Sequence, residues 1–219
     1  MNNNRRKRLI TLREAYEKEP YSVKLSGLNL RIEKGVFPPD VSFATLKLGK
    51  ILGNYRPESA IDIGSGSGYL AFVLKRNGVQ RVFASDINPA AINCIKENVR
   101  LNPGCNLNGI YLSDLFSNLK ENLKFDLIIF NHFYRPEGTG IFGPVNDAGK
   151  EIIERFLTQS KQRLTQNGVI IMNFVEMSDP ENSPAAIAKQ MGYKVKVLFQ
   201  ESNYQNMGNF FVYEFKLPS

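Results

Sequence analysis

Apolar and polar positions along the chain change rhythm near residue 59. Beyond it, apolar runs at Ala60–Ile63, Arg81–Ser85, Gly109–Leu112, Phe125–Phe130 and Val169–Val175 predict strands. Stretches with helical spacing fall between most of them, at Tyr69–Arg76, Pro89–Leu101 and Asp147–Leu164. Strands alternating with helices predict a doubly wound α/β sheet with right-handed crossovers. The nearly unbroken run Leu127-Ile128-Ile129-Phe130 suits a central strand covered on both faces. After one more helix, about Pro184–Met191, Tyr193–Phe199 and Asn209–Lys216 predict an antiparallel pair that ends the otherwise parallel sheet. The aromatic residues there (Tyr204, Phe210, Phe211, Tyr213, Phe215) alternate as sheet core plus one exposed face would.

The first part of the chain is less regular. Residues 5–19 carry helix formers, with Leu9, Ile10, Leu12 and Tyr16 near helical spacing before Pro20. Val23-Lys24-Leu25 and Leu28–Ile32 alternate around Gly27 and predict a hairpin. A loop follows at Gly35–Asp40, where Asp40 is placed to cap a helix running to about Leu52. The organisation expected is an N-terminal extension over 1–55 and a main α/β domain over 56–219.

Composition changes this picture little. Hydrophobic and charged contents of 42% and 22% are ordinary for a globular chain. Apolar runs fall short of the roughly 18–20 residues of a membrane span, and no signal-like core follows Arg5-Arg6-Lys7-Arg8. The expected location is the cytoplasm, with no membrane partner. Two cysteines and one histidine give little basis for a metal site or a disulfide framework. Cys94 reads as a buried helix residue and Cys105 as an incidental surface thiol. The net charge of +7 is compatible with weak nucleic-acid affinity, the basic N-terminus included, and equally with a solvated basic surface.

The chemistry gathers at predicted strand ends. Asp62-x-Gly64-x-Gly66-x-Gly68 joins the first strand of the α/β part to its helix. Glycine permits positive φ and lets a ligand lie against bare backbone, and the helix start beyond offers unpaired N–H groups. Asp86 ends the next strand about 20 residues on, where a carboxylate can accept hydrogen bonds from a ribose diol or serve as a helix cap. Gly66-x-Gly68-x-x-Ala71 also fits the permissive dinucleotide fingerprint, so a nicotinamide-dependent oxidoreductase shares these glycines.

Together these residues resemble class I S-adenosylmethionine methyltransferases, and within them the small-domain branch that includes release-factor glutamine and RNA base N-methyltransferases. Ser85-Asp86-Ile87-Asn88-Pro89-Ala90-Ala91-Ile92 looks like that branch's second-strand run. Ser113-Asp114-Leu115-Phe116 is similar to its third-strand ending, and Gly35-Val36-Phe37-Pro38-Pro39 to its cofactor-covering loop. Asp147–Ile153 resembles the opening of its next helix. The resemblance implies a seven-stranded Rossmann-like sheet and S-adenosylmethionine as cofactor. It implies binding of that cofactor by Phe37, Asp62, Gly64, Ser65, Gly66, Gly68, Asp86, Ile87, Asp114, Leu115 and Asn131.

The departure comes after the fourth strand, where the branch carries Asn-Pro-Pro-Tyr and this chain has Asn131-His132-Phe133-Tyr134. In the family the Asn side-chain oxygen and the next backbone carbonyl accept hydrogen bonds from a substrate –NH2, which aims the nitrogen at the methyl group. The aromatic residue stacks on the flat acceptor. Asn131 and Tyr134 keep those parts; the rigidity of two prolines is lost. His132 adds a titratable ring with an ordinary pKa of about 6.5, as a general base or as loop packing.

The function implied is methyl transfer to a nitrogen of a planar amide, amine or base, with Asn131, His132 and Tyr134 as catalytic candidates. The acceptor may be named only by class: a protein amide, an RNA base, or a small N or O acceptor in a closed pocket. A non-catalytic cofactor-binding protein and the nicotinamide enzyme stand as alternatives.

Overall fold

The computed structural model describes residues 14–132, 150–175, 183–204 and 208–218. A hairpin, β1 (Tyr21–Leu25) and β2 (Leu28–Ile32), precedes α1 (Phe43–Leu52). The α/β part then runs β3 (Ser59–Ile63), α2 (Tyr69–Arg76), β4 (Arg81–Asp86), α3 (Pro89–Leu101), β5 (Gly109–Leu112), β6 (Phe125–Phe130), α4 (Lys150–Arg163) and β7 (Leu164–Val175). It ends with α5 (Pro184–Gln190), β8 (Lys194–Glu201) and β9 (Phe210–Lys216). Of the helix expected over 5–19, residues 14–17 are helical and 5–13 lie outside the described residues.

The seven strands lie in the order β5-β4-β3-β6-β7-β9-β8, a doubly wound, mostly parallel sheet as expected. The chain steps outward from β3 to β5 and then returns to β6 on the other side of β3. That reversal opens a crevice beyond the carboxyl ends of β3 and β6, the usual ligand position in such sheets. On one face, residues of α1, α2, α3 and the hairpin pack with Ala60, Val82, Leu127 and Ile129. On the other, α4 and α5 pack with Ile61, Ile63, Ile128 and Ile170.

β9 lies between β7 and β8 and is antiparallel to both. Both of its faces are covered, with Phe210 and Val212 in one core and Tyr213 and Phe215 in the other. The exposed aromatic face expected there is absent, because side chains from both faces of β9 join the cores on the two sides of the sheet.

Three further expectations shift. Ser42, not Asp40, caps α1: its hydroxyl accepts from the Thr45 N–H, while Asp40 accepts from the Tyr21 hydroxyl at 2.8 Å. β7 begins at Leu164 rather than Val169, since Leu164 pairs with Phe125 before an irregularity that places Val169 opposite Leu127. Cys105 is buried, because its N–H closes a turn onto the Asn102 carbonyl and its side chain joins the core beside α2 and α3.

The hairpin turns through Ser26 and Gly27, both at positive φ (50° and 73°), the geometry that two-residue hairpins need. Its second strand is completed by a helix. In α3 and its C-cap, Asn98 and Asn102 take the outward backbone groups of β2: Asn98 Oδ1 accepts from the Arg31 N–H and its Nδ2 donates to the Arg31 carbonyl. Asn102 does the same for Asn29. Two strand residues span about 6.7 Å and four helical residues about 6.0 Å, so the two spacings match. Asn98 Nδ2 also donates to the Ser67 carbonyl at 3.0 Å, which ties the hairpin to the glycine loop.

Candidate functional site

The loop after β3 must reverse from strand to helix within a few residues. Gly64 and Gly66 do so at φ 67° and 56°, a region L side chains rarely adopt. Gly68 caps α2 at φ 83°, and a Cβ there would come within 2.8 Å of the Phe72 ring. The Ser65 N–H donates to the Ser85 carbonyl, and its hydroxyl donates to the Asp62 carbonyl at 2.6 Å.

This loop forms one wall of an open cleft at the carboxyl ends of β3 and β6. Of the residues singled out from sequence, Phe37, Asp62, Gly64, Ser65, Gly66, Asn131 and His132 line it together. Phe37 arrives on the loop after the hairpin, held where the Asn88 side chain donates to the Gly35 carbonyl. His132 stacks on Phe130, with ring centroids 5.0 Å apart, as a packing residue would.

Asp86, Ile87, Gly68, Asp114 and Leu115 are not in that lining. Asp86 bridges two backbone segments, accepting from the Gly66 N–H at 2.8 Å and the Asn88 N–H at 2.9 Å. Asn88, rather than Asp86, is the side-chain cap of α3. Burial raises the Asp86 pKa, opposed by the N–H groups of Asn88, Gly66 and Ile87. Ile87 is 55% exposed, a large apolar side chain beside the strand end. Asp114, half-exposed, pairs with Arg155 of α4. Leu115 is buried at φ 49°, a strained conformation for a branched side chain. Tyr134, Phe133 and Arg135 lie outside the described residues.

Two charges or amides in the cleft lack the partners that burial normally demands. Asp62 is 1% exposed, and neither carboxylate oxygen has a hydrogen-bond partner among the described residues. Its pKa is pushed up to about 8, first by burial and then by the Asp86 charge. Ser65 and the Ala71 N–H oppose this weakly, since the Ser65 hydroxyl is turned to the Asp62 carbonyl. Asn173 of β7 also lines the cleft, 6% exposed, with its Oδ1 buried and unpartnered among the described residues.

The raised pKa has a consequence for stability. An unfolded Asp titrates near 3.9, so the folded state holds a proton that the unfolded chain loses between about pH 4 and 8. Stabilisation by the neutral carboxyl is complete below that window and is lost as pH rises through it, at up to about 1.4 kcal/mol per pH unit. The Asp62→Asn variant, free of ligand, is therefore expected to melt above the wild type at pH 8, by a margin that shrinks towards pH 5. Thermal melts across that range check this; a constant margin would contradict it.

Asn131 follows β6, and a short relay fixes its amide. Its Nδ2 donates to the Thr45 hydroxyl at 2.9 Å, and Thr45 Oγ1 donates in turn to Ser42 Oγ at 2.9 Å. Ser42 and Thr45 are both buried in the first turn of α1 and line the cleft. With Nδ2 engaged, the Asn131 amide offers its oxygen as an acceptor. Ser42, Thr45 and Asn173 were not singled out from sequence. A signal existed only for Ser42, a good N-cap residue two positions beyond Asp40.

Among the described residues, no group of three or more His, Cys, Asp or Glu gathers as metal ligands would, and no helix is long and apolar enough to cross a membrane. The sequence profile of the methyltransferase small domain matches residues 27–206. The chain is 29% identical over 184 residues to a protein of Methanocaldococcus jannaschii provisionally named a protein N5-glutamine methyltransferase, covering 80% of this chain and 89% of that one. It is 28% identical over 177 residues to the release factor glutamine methyltransferase of Rhodopirellula baltica, covering 69% of this chain and 58% of that one. The fold is also that of a 16S ribosomal RNA guanine-N2 methyltransferase of T. thermophilus solved with AdoMet and guanosine: TM-score 0.68, 19% identity, 91% of this chain and 50% of that one.

Proposed function

This chain belongs to the methyltransferase small-domain family, and on that premise we propose that it moves the methyl group of S-adenosylmethionine to the nitrogen of a planar primary carboxamide, as on a protein glutamine. The observation that carries the reading is the Asn131 amide, locked by Thr45 with its oxygen left to accept from an N–H group at the cleft. The glutamine named for two relatives, one of them spanned over 89% of its length, supports a carboxamide over a base.

The residues present fit the cofactor. Asp62 gives the cleft a carboxyl group without a hydrogen-bond partner among the described residues, suited to a cationic or donor group. Gly64 and Gly66 give bare backbone, and Asp86 keeps lone pairs beyond its two backbone bonds for a ribose diol. Exposed Ile87 offers an apolar face to a purine, and Asp114 with Leu115 a polar edge. When bound, S-adenosylmethionine supplies an electrophilic methyl on a cationic sulfur. Asn131 Oδ1 accepts an N–H of the acceptor, which fixes its plane and raises electron density on nitrogen. Once methylated, the acceptor nitrogen would give up one proton to solvent. Phe37 narrows the cleft from the hairpin side, and His132 packs on Phe130 rather than serving as a base.

The net charge of +7 favours RNA as the second acceptor class; a small acceptor in a closed pocket is the third. Purified protein with methyl-labelled S-adenosylmethionine separates them. A short peptide carrying one glutamine is expected to gain 14 mass units on its side-chain nitrogen. Label confined to RNA, or to a small amine or hydroxyl compound, would overturn the carboxamide.

A further inference from the structure

Asn173 has no task in that mechanism, yet it is one of the most unusual side chains of the molecule. It is 94% buried by its 6% exposure, it lines the same cleft as Asn131, and its Oδ1 meets no hydrogen-bond donor among the described residues. A buried amide oxygen left this way costs free energy that an apolar side chain in the same place would not. Its position follows from the sheet. β6 and β7 run parallel with Phe130 opposite Met172, so the next residues along the two strands, Asn131 and Asn173, are neighbours. Parallel strands are about 4.8 Å apart, so one small group between the two side chains can reach both.

A primary –NH2 has two N–H donors. Asn131 Oδ1, its Nδ2 already engaged by Thr45, accepts one of them. We propose that Asn173 Oδ1 accepts the other, so that two side-chain acceptors on adjacent strands grip both hydrogens of the nitrogen to be methylated. The inference rests on the carboxamide reading above and goes beyond it. The loop after Asn131 lacks the two prolines that would hold a backbone carbonyl as the second acceptor. An acceptor mounted on β7, paired on both sides, does not depend on that loop. Two acceptors also select for a nitrogen with two hydrogens: a hydroxyl or an already methylated amide has one donor and leaves an oxygen unmatched. The product is then a single methylation.

The test uses the full chain, a peptide with one glutamine and the same peptide with an N-methylated glutamine side chain. Asn173→Leu removes the acceptor at similar size. It is expected to melt above the wild type, because a buried unpartnered oxygen is gone, and to bind S-adenosylhomocysteine with unchanged affinity by calorimetry. Its kcat/KM on the glutamine peptide is expected to fall about tenfold or more. A merely structural Asn would give the opposite sign in the melt. Asn173→Ala, with the same expected kinetic loss, carries the test should the Leu variant fold poorly. A kcat/KM within twofold of wild type in both variants overturns the role of Asn173 and leaves the carboxamide reading standing. Loss of S-adenosylhomocysteine binding overturns it too, by moving Asn173 to the cofactor. Second methylation of the N-methylated peptide by the wild type at the rate of the first overturns the two-donor selection. A wild type that methylates neither peptide removes the reading on which the inference rests.

Discussion

Replacing Asn131 by Ala is expected to lower the rate of methyl transfer by about 10²-fold or more, while cofactor affinity changes by no more than about threefold. Among the described residues the side chain donates to Thr45, and that bond aims rather than stabilises: it holds the amide so that the oxygen remains for the acceptor. Without the amide, an acceptor nitrogen can still enter the cleft but has no reason to present its lone pair in line with the methyl group. Misplacement on the scale of 1 Å is enough for a loss of about 10²-fold. The relay gives the prediction a second arm. Thr45→Val keeps the shape of the side chain and removes the hydroxyl, so the Asn131 amide is free to rotate; a loss of about tenfold is expected, smaller than that of Asn131→Ala. Single-turnover transfer of labelled methyl, with calorimetry of S-adenosylhomocysteine beside it, reads both. Near-wild-type turnover in Asn131→Ala would remove Asn131 from the mechanism.

Most of the scaffold was legible because each element carries local punctuation. α2 and α3 run over Tyr69–Arg76 and Pro89–Leu101, the spans their spacing predicts, each bounded by Gly or Asn-Pro at the start. β5 and β6 likewise match, since turn residues flank short apolar runs. What failed depends on partners distant in sequence. Asp40 is as good a cap as Ser42 until the Tyr21 hydroxyl, 19 residues away, claims it. Leu164 is read as the end of a helix until it pairs with Phe125, because Thr165-Gln166-Asn167-Gly168 looks like a turn and is an excursion within one strand. The exposed aromatic face expected of the last strand fails likewise, because nothing local tells that both faces of β9 meet a core.

The site divides along the same line. Asp62, Gly64, Ser65, Gly66 and Asn131 were found because a short motif carries each of them and all lie at one end of the sheet. Thr45 and Asn173 are ordinary residues of an ordinary helix and strand. They acquire meaning only when α1 and β7 meet Asn131 from two sides, at separations of 86 and 42 residues. The acidic residue before the glycines, Asp62, stands out by environment as well. Its burial without a hydrogen-bond partner among the described residues marks the cleft better than the glycines do.

Asn98→Ala is expected to produce the largest loss of stability of any single polar substitution in the described fold, about 3–5 kcal/mol. The residue is fully buried, and three backbone groups depend on it: the Arg31 N–H and carbonyl, and the Ser67 carbonyl. Truncation takes the partner of the Arg31 N–H and of the Ser67 carbonyl, at about 1–3 kcal/mol apiece with partial relief where water enters, while the Arg31 carbonyl keeps the Cys94 thiol at 3.1 Å. Against a total of roughly 5–15 kcal/mol for a domain this is a large fraction. For a chain of this size it corresponds to a fall of about 6–20 °C in Tm. Asn102→Ala, which frees the Asn29 N–H and carbonyl near the end of α3 but touches no part of the glycine loop, is expected to cost less. The two variants also part in function. Asn98 alone ties Ser67 to the hairpin whose following loop carries Phe37, so its loss is expected to weaken S-adenosylhomocysteine binding at temperatures where the variant is still folded, whereas Asn102→Ala is expected to leave that affinity unchanged. Equal melting temperatures for the two variants, or equal affinities, would show that the bond to Ser67 contributes nothing.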